Sequence, residues 1–161
     1  MYWASDKFFW IWFYLILFVL VLLKLKKKTV LVLPMVALMI LTSDQSSVRI
    51  KNSVQRVRPC HNETLKEKIH LNPECGGDFG FVSSHAANTF ALALFVTLLL
   101  GKSYKWLPFL IFIWAVFVSY SRIYDGVHFP ADVLGGALVG LLSAYLISKL
   151  YFYLSKKYFN E

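Results

Sequence analysis

The chain has 161 residues, 58% of them hydrophobic and 17% aromatic, above the roughly 45–50% apolar content of an ordinary soluble domain. The formal charge is +8, but the cations sit in short connections and one long loop, without the interleaved basic and aromatic pattern of an RNA-binding surface. That distribution suits anionic lipid headgroups and phosphate better than nucleic acid, which is not expected as a partner. The apolar excess lies in blocks long enough to cross a bilayer, so the expected fold class is all-α: one integral membrane domain over residues 1–161, a transmembrane helix bundle of about five spans with a short extramembrane helical loop.

The first apolar run covers residues 8–23, with Trp3, Trp10 and Trp12 near its start as an interfacial aromatic belt. Lys24, Lys26, Lys27 and Lys28 follow this run instead of preceding it, and no small-residue cleavage site is present. A retained helix is therefore expected in place of a signal peptide. The second run, 29–42, is short for a span of ~20 residues and has to borrow flanking residues or sit in thinned bilayer; Pro34 is its kink point. The polar stretch 43–84 reads as a loop with one or two short helices around 62–70. It holds Cys60 and Cys75, which are either a disulfide closing a short loop or two free thiols. Neither belongs to a CxxC motif, so zinc and redox chemistry have no support.

The remaining runs are 86–101, 106–120 and 130–154, with "KSYK" and residues 121–132 between them and "SKKYFNE" at the end. Alternating spans place residues 24–28, "KSYK" and "SKK" on one side. The N-terminus, 43–84 and 121–132 lie on the other. The first group is denser in lysine, so it is expected to be cytoplasmic and the second external, which in a Gram-negative bacterium means the periplasmic face of the inner membrane.

Three polar clusters fall on that external side. Lys51 and Arg58 are seven residues apart, close to two helical turns, so both are expected on one helix face. Two cations there are ordinarily a solvated surface, but with Arg122 they can surround one phosphate. Ser83 and Ser84 begin the third run, where either can cap a helix; the free N–H groups of a helix start also favour an anion, and His85 stands beside it as a proton donor. In the last cluster, Pro130 restricts Phe129 to extended geometry and suits the first helical position. His128 then precedes the helix, and Asp132 lies in its first turn, where its carboxylate can reach back to the imidazole and fix the tautomer. Taken alone, each cluster also has a bland reading as caps and interfacial charge.

The order Lys51…Arg58-Pro59, then Val82-Ser83-Ser84-His85, then Ser121-Arg122…His128…Asp132 resembles the type 2 phosphatidic acid phosphatase family of membrane lipid phosphatases, whose motifs are KxxxxxxRP, PSGH and SRxxxxxHxxxD. The likeness runs from about Lys51 to the end of the chain. Val82 and Ser84 replace the proline and glycine of the second motif, and five spans stand where the family commonly has six, implying a minimal member that lacks an N-terminal span. The resemblance implies that His128 attacks phosphorus and forms a phosphohistidine, that Asp132 orients it, and that His85 protonates the leaving oxygen. It further implies that Lys51, Arg58, Arg122, Ser83 and Ser84 bind the phosphate, with no metal and no cofactor. The implied substrates are lipids bearing a phosphate or diphosphate: the 1-phosphate of lipid A slightly favoured, then undecaprenyl diphosphate, phosphatidylglycerophosphate and phosphatidic acid, with the 62–81 loop shaping headgroup choice.

Two other classes compete. A small transporter would carry ionisable residues inside its spans, and the apolar runs hold almost none before Lys149. A membrane assembly protein would use Gly136-x3-Gly140 for helix packing, within the chain or between copies.

Overall fold

The computed structural model describes residues 2–6, 8–69 and 75–159. Among the described residues the fold is all-helical, apart from one isolated antiparallel bridge between Val57 and Phe79. The helices are α1 (Tyr2–Ser5), α2 (Ile11–Leu25), α3 (Thr29–Val54), α4 (Ser84–Leu100), α5 (Leu107–Tyr124) and α6 (Pro130–Phe159). Each of the long ones buries one stripe at helical spacing. In α2 the stripe is Phe13, Leu17 and Val21; in α3 it is Val32, Met35, Met39, Ser43 and Ser47.

The expected loop over 43–84 is corrected by α3, which continues through its first dozen residues to Val54. No glycine or proline interrupts the chain between Pro34 and Pro59. Ser43 and Ser47 are fully buried, and the Ser47 hydroxyl donates to the Ser43 carbonyl at 2.9 Å. The Ser47 hydroxyl is thus satisfied within the helix, and neither serine marks a loop. With 26 residues α3 is about 39 Å long, and Lys51 lies in its last turn.

No α-helix forms among the described residues of the 62–70 stretch, where a 3₁₀ turn at Lys66–Lys68 takes its place; His70, like the 70–74 part of the 62–81 loop, lies outside the described residues. The two cysteines are joined as a Cys60–Cys75 disulfide with Cα atoms 5.9 Å apart. At the C-terminal end α6 absorbs most of the expected "SKKYFNE" tail and reaches Phe159, while Asn160 and Glu161 lie outside the described residues.

The bundle is organised around α4, which packs against α3, α5 and most extensively α6. A Cβ at Gly136 would overlap the Ser83 carbonyl oxygen, and one at Gly140 the Ala87 carbonyl oxygen. These glycines therefore let two helix backbones touch within the chain. The core combines Phe95 and Leu100 of α4 with Ile111 and Trp114 of α5, Tyr151 of α6 and Phe13 of α2. The outer faces are apolar as well: Phe109, Val116, Leu134, Leu138 and Leu142 are all exposed. On length and composition, α5 and α6 can cross a membrane, and α4 is apolar but shorter at 17 residues.

Candidate active site

At the end of α3 the chain leaves the helix at Gln55, whose backbone is left-handed (φ 51°). Residues 56–58 then run extended beside 78–80: the Arg58 N–H donates to the Asp78 carbonyl at 3.1 Å, and the Gly80 N–H to the Arg56 carbonyl at 2.8 Å. This corrects the expectation that Lys51 and Arg58 share one helix face. Lys51 is on α3, whereas Arg58 is held extended by Pro59 behind it. Both nevertheless reach the same place. Lys51 Nζ donates to the Ser84 hydroxyl at 2.5 Å, and Arg58 Nη1 approaches His128 Nε2 at 3.4 Å while donating to the Val127 carbonyl at 3.3 Å.

Ser83 is the N-cap of α4, with its hydroxyl accepting from the Ala86 N–H. Its own N–H donates to the Asp132 carbonyl at 2.9 Å and ties the start of α4 to the first turn of α6. Val82, in the place of the motif's proline, is buried against Gly135, where a Cβ would come within 2.7 Å of the valine side chain. Ser84, in the place of the motif's glycine, turns its side chain to Lys51. Neither departure prevents the helix from starting where the motif places it.

The third cluster follows the sequence expectation closely. Pro130 is the first residue of α6, and Asp132 Oδ2 accepts from the Phe129 N–H at 2.8 Å, a capping-box contact. The same oxygen lies 3.4 Å from His128 Nδ1. Arg58 can only donate and the carboxylate only accept, which places the imidazole proton on Nδ1 and leaves Nε2 with its lone pair toward the cations. Arg122, in the last turn of α5, accepts through its carbonyl from the N–H groups of Val127 and His128, both at 3.2 Å, and so shapes the loop that presents the histidine.

His128 and Asp132 are almost completely buried, at 3% and 0% exposure. Burial, and then the charges of Arg58, Arg122, Lys51 and His85, push the His128 imidazole down to about 2, so it is neutral at pH 7. His85, the second residue of α4, belongs to this same field. All eight expected residues thus gather at one end of the bundle, next to a cleft of about 310 Å³ whose wall includes His128, Phe129, Pro59 and Lys68. The arrangement can take an anion among fixed cations and offer it an uncharged, buried imidazole nitrogen.

Two further residues line the site. Arg56 Nη2 meets Asp132 Oδ1, and its guanidinium lies 4.9 Å from the Phe81 ring centre and 5.2 Å from that of Phe129. Gly80 is buried so close that a Cβ there would be 3.0 Å from Asp132 Oδ2. The signal for Arg56 was present: Pro59 makes Arg58 extended, and in an extended chain the residue two before it faces the same way. Gly80 left no comparable signal.

Among proteins of known function the chain is similar to a lipid A 4′-phosphatase of Bacteroides thetaiotaomicron, 39% identical over 114 residues, covering 69% of this chain and 50% of the relative. A lipid A 4′-phosphatase of Porphyromonas gingivalis is 37% identical over 127 residues, covering 76% and 52%. An undecaprenyl-diphosphatase of Sulfolobus acidocaldarius is 44% identical over 71 residues, covering 43% and 32%. The chain spans about half the length of the first two relatives. Their names specify the 4′ position, whereas the sequence-based lean is toward the 1-phosphate. No solved structure matches the chain. The PAP2 superfamily profile matches residues 29–156, from the start of α3 to near the end of α6 and across all three motifs, and the chain belongs to that superfamily.

Proposed function

We propose that the chain is a single-domain integral membrane lipid phosphatase, with α2 to α6 as five membrane-crossing helices and its site at the external face of a bacterial inner membrane. The observation that carries the reading is His128 itself, neutral and buried, with Asp132 at Nδ1 and the cation field of Arg58, Arg122 and Lys51 at Nε2. Phosphoryl transfer asks for positioning and charge stabilisation, and this constellation is built for both.

In the proposed reaction the Nε2 lone pair attacks phosphorus, an N–P bond forms and the bond from phosphorus to the leaving oxygen breaks. His85 gives that oxygen a proton. Water then attacks phosphorus, His85 takes its proton, the N–P bond breaks and phosphate leaves. Lys51, Arg58 and Arg122 hold the non-bridging oxygens, assisted by the N–H groups at the start of α4 beside Ser83 and Ser84. Asp132 balances the charge that His128 acquires.

The substrate proposed first is a 4′-phosphorylated lipid A, on the strength of the two relatives that overlap most of this chain. Undecaprenyl diphosphate is the second reading, favoured by 44% identity to a named undecaprenyl-diphosphatase. Phosphate release from both lipids, phosphatidylglycerophosphate and phosphatidic acid in mixed micelles tests the proposal. The parent should release phosphate from at least one, inhibited by vanadate, and His128→Ala and His85→Ala should release none. Parental rates in His128→Ala would falsify the nucleophile assignment. Inertness toward all four lipids, with no vanadate binding, would turn the case toward a transport or assembly protein.

A further inference from the structure

We propose that Arg56 is a positioning residue for His128, acting through Asp132; the role rests on the phosphohistidine reading above. The extended segment 56–58 alternates its side chains. Val57 is 46% exposed, while Arg56 and Arg58 both turn toward the end of α6. One arginine therefore addresses Nε2 of His128 directly, and the other addresses the carboxylate behind its Nδ1.

The Asp132 carboxylate has divided duties. Its Oδ2 accepts from the Phe129 N–H and faces His128 Nδ1. Its Oδ1 meets Arg56 and has no hydrogen-bond partner among the described residues. A buried carboxylate with one oxygen unmatched would be free to twist about its last torsion, which is broad and roughly two-fold. It would also take up a proton more readily without an opposite charge beside it. Either change weakens the hold on Nδ1–H. Arg56 is fitted to prevent both, because its guanidinium lies over both the Phe81 and the Phe129 ring. An exposed ion pair contributes little when both ends are mobile. Here one end is fully buried and the other is held by two rings, so the contact fixes an orientation.

A positioning role predicts a loss confined to the transition state. Orthovanadate takes up the trigonal-bipyramidal geometry and needs the histidine nitrogen, whereas inorganic phosphate needs only the cations. Calorimetric titration of the detergent-solubilised protein with each anion separates the two. Arg56→Gln is expected to weaken vanadate by about tenfold or more, change phosphate by less than about twofold, and keep the parental stoichiometry. Arg56→Lys, which keeps the charge but not the planar stack, is expected to fall between.

Unchanged vanadate affinity in Arg56→Gln would overturn the role. Equal weakening of both anions would make Arg56 a general attractor of anions. Reduced stoichiometry at unchanged affinity would make it merely structural. A parent that binds vanadate no better than phosphate would overturn the phosphohistidine reading itself, and this role with it.

Discussion

Gly80→Ala puts the geometry of the site under direct strain without touching any charged group. The new methyl carbon would sit 3.0 Å from Asp132 Oδ2, 3.3 Å from Arg58 Cγ and 3.6 Å from His128 Nδ1. The glycine has no positive φ, so alanine can take its backbone, and the Gly80 N–H keeps its bond to the Arg56 carbonyl. What must give is the carboxylate. Retreat from 3.0 Å to the 3.4 Å where ordinary contact begins is a movement of 0.4 Å. The two bonds of Oδ2 differ in their tolerance of it. The contact with the Phe129 N–H starts at 2.8 Å and survives lengthening by that amount, whereas the contact with His128 Nδ1 starts at 3.4 Å and does not. The orienting bond is thus lost first. A displacement of about 1 Å near reacting groups can cost on the order of 100-fold, so 0.4 Å and one weakened bond should lower kcat by about tenfold, some 1.4 kcal/mol of activation free energy. KM should stay within about twofold, since of the phosphate-binding cations only Arg58 is among the three nearest neighbours of the new methyl, and it is pressed only at Cγ. Initial rates on lipid micelles give both constants. Parental kcat in Gly80→Ala, or a raised KM with kcat retained, would refute this ordering of tolerances.

Three other outcomes follow from particular contacts. Because burial and then Arg58 hold the His128 imidazole down to about 2, the ring should stay neutral from pH 8 to pH 5. In Arg58→Met the first of the depressing charges is gone while burial, the larger cause, remains, so the imidazole should rise from about 2 toward, but stay below, its ordinary 6.5; ¹⁵N-histidine NMR across that range would contradict this if the parent ring titrated near 6.5. The sign for stability is the matching one: the unfolded chain binds the proton first, so this group's burial destabilises the fold progressively as pH falls below about 6.5. The Cys60–Cys75 disulfide closes a loop with a sequence separation of 15, for which chain entropy gives about 3 kcal/mol. Reduction should lower the melting midpoint in detergent and, because Arg58 is two residues from Cys60, weaken phosphate binding; a midpoint unmoved by reductant would contradict the stapling role. Gly140→Val should abolish recovery of folded protein, since the Ala87 carbonyl cannot move without moving α4, while Gly77→Ala, with nothing within 4 Å, should be silent by the same thermal assay.

The helices and the chemistry were legible to different extents for different reasons. Asp132 and Pro130 could be placed from sequence because capping and the restriction before proline act over a few residues, so local order determines local geometry. The extent of α3 was misread because serine, aspartate and lysine after Thr42 resemble a loop by composition. Ser43, Ser47 and Lys51 in fact repeat every four residues and line the inner face, a periodicity outweighed by polarity. Arg58 reached its expected place by an unexpected route, because backbone pairing between 56–58 and 78–80 joins segments some 20 residues apart, and no periodicity within either segment announces it. Gly80 was invisible for the same reason. Its smallness is explained only by Asp132 and His128, which come from α6 and the loop before it.

The cation field has a second consequence for the order of events at the site. With the site empty, Arg58, Arg122, Lys51 and His85 repel a proton from His128 and add to the penalty of charging it in a buried place. The nucleophile of the proposed reaction is therefore uncharged before any substrate arrives, and no separate base has to remove a proton from it. When a phosphate dianion enters, it offsets those same cations, and the repulsion that kept the imidazole neutral falls away. Proton uptake at Nε2 would then waste the nucleophile, but that nitrogen now faces phosphorus. The positive charge that develops on the ring as the N–P bond forms appears where Asp132 is already in place at Nδ1. In the proposed reaction, one set of cations would thus keep the histidine deprotonated in the free site and hold the oxygens in the occupied one, while the carboxylate would balance the charge that the transfer creates. On this argument, removing Arg58 should cost twice: in phosphate affinity at every pH, and in the fraction of reactive imidazole only at low pH. The ratio of the variant's kcat/KM to the parent's should therefore be constant in the alkaline and neutral range and fall further only at the acid end, as pH approaches the variant's raised imidazole value. A ratio that stays flat across the whole range would separate the two functions and end the argument.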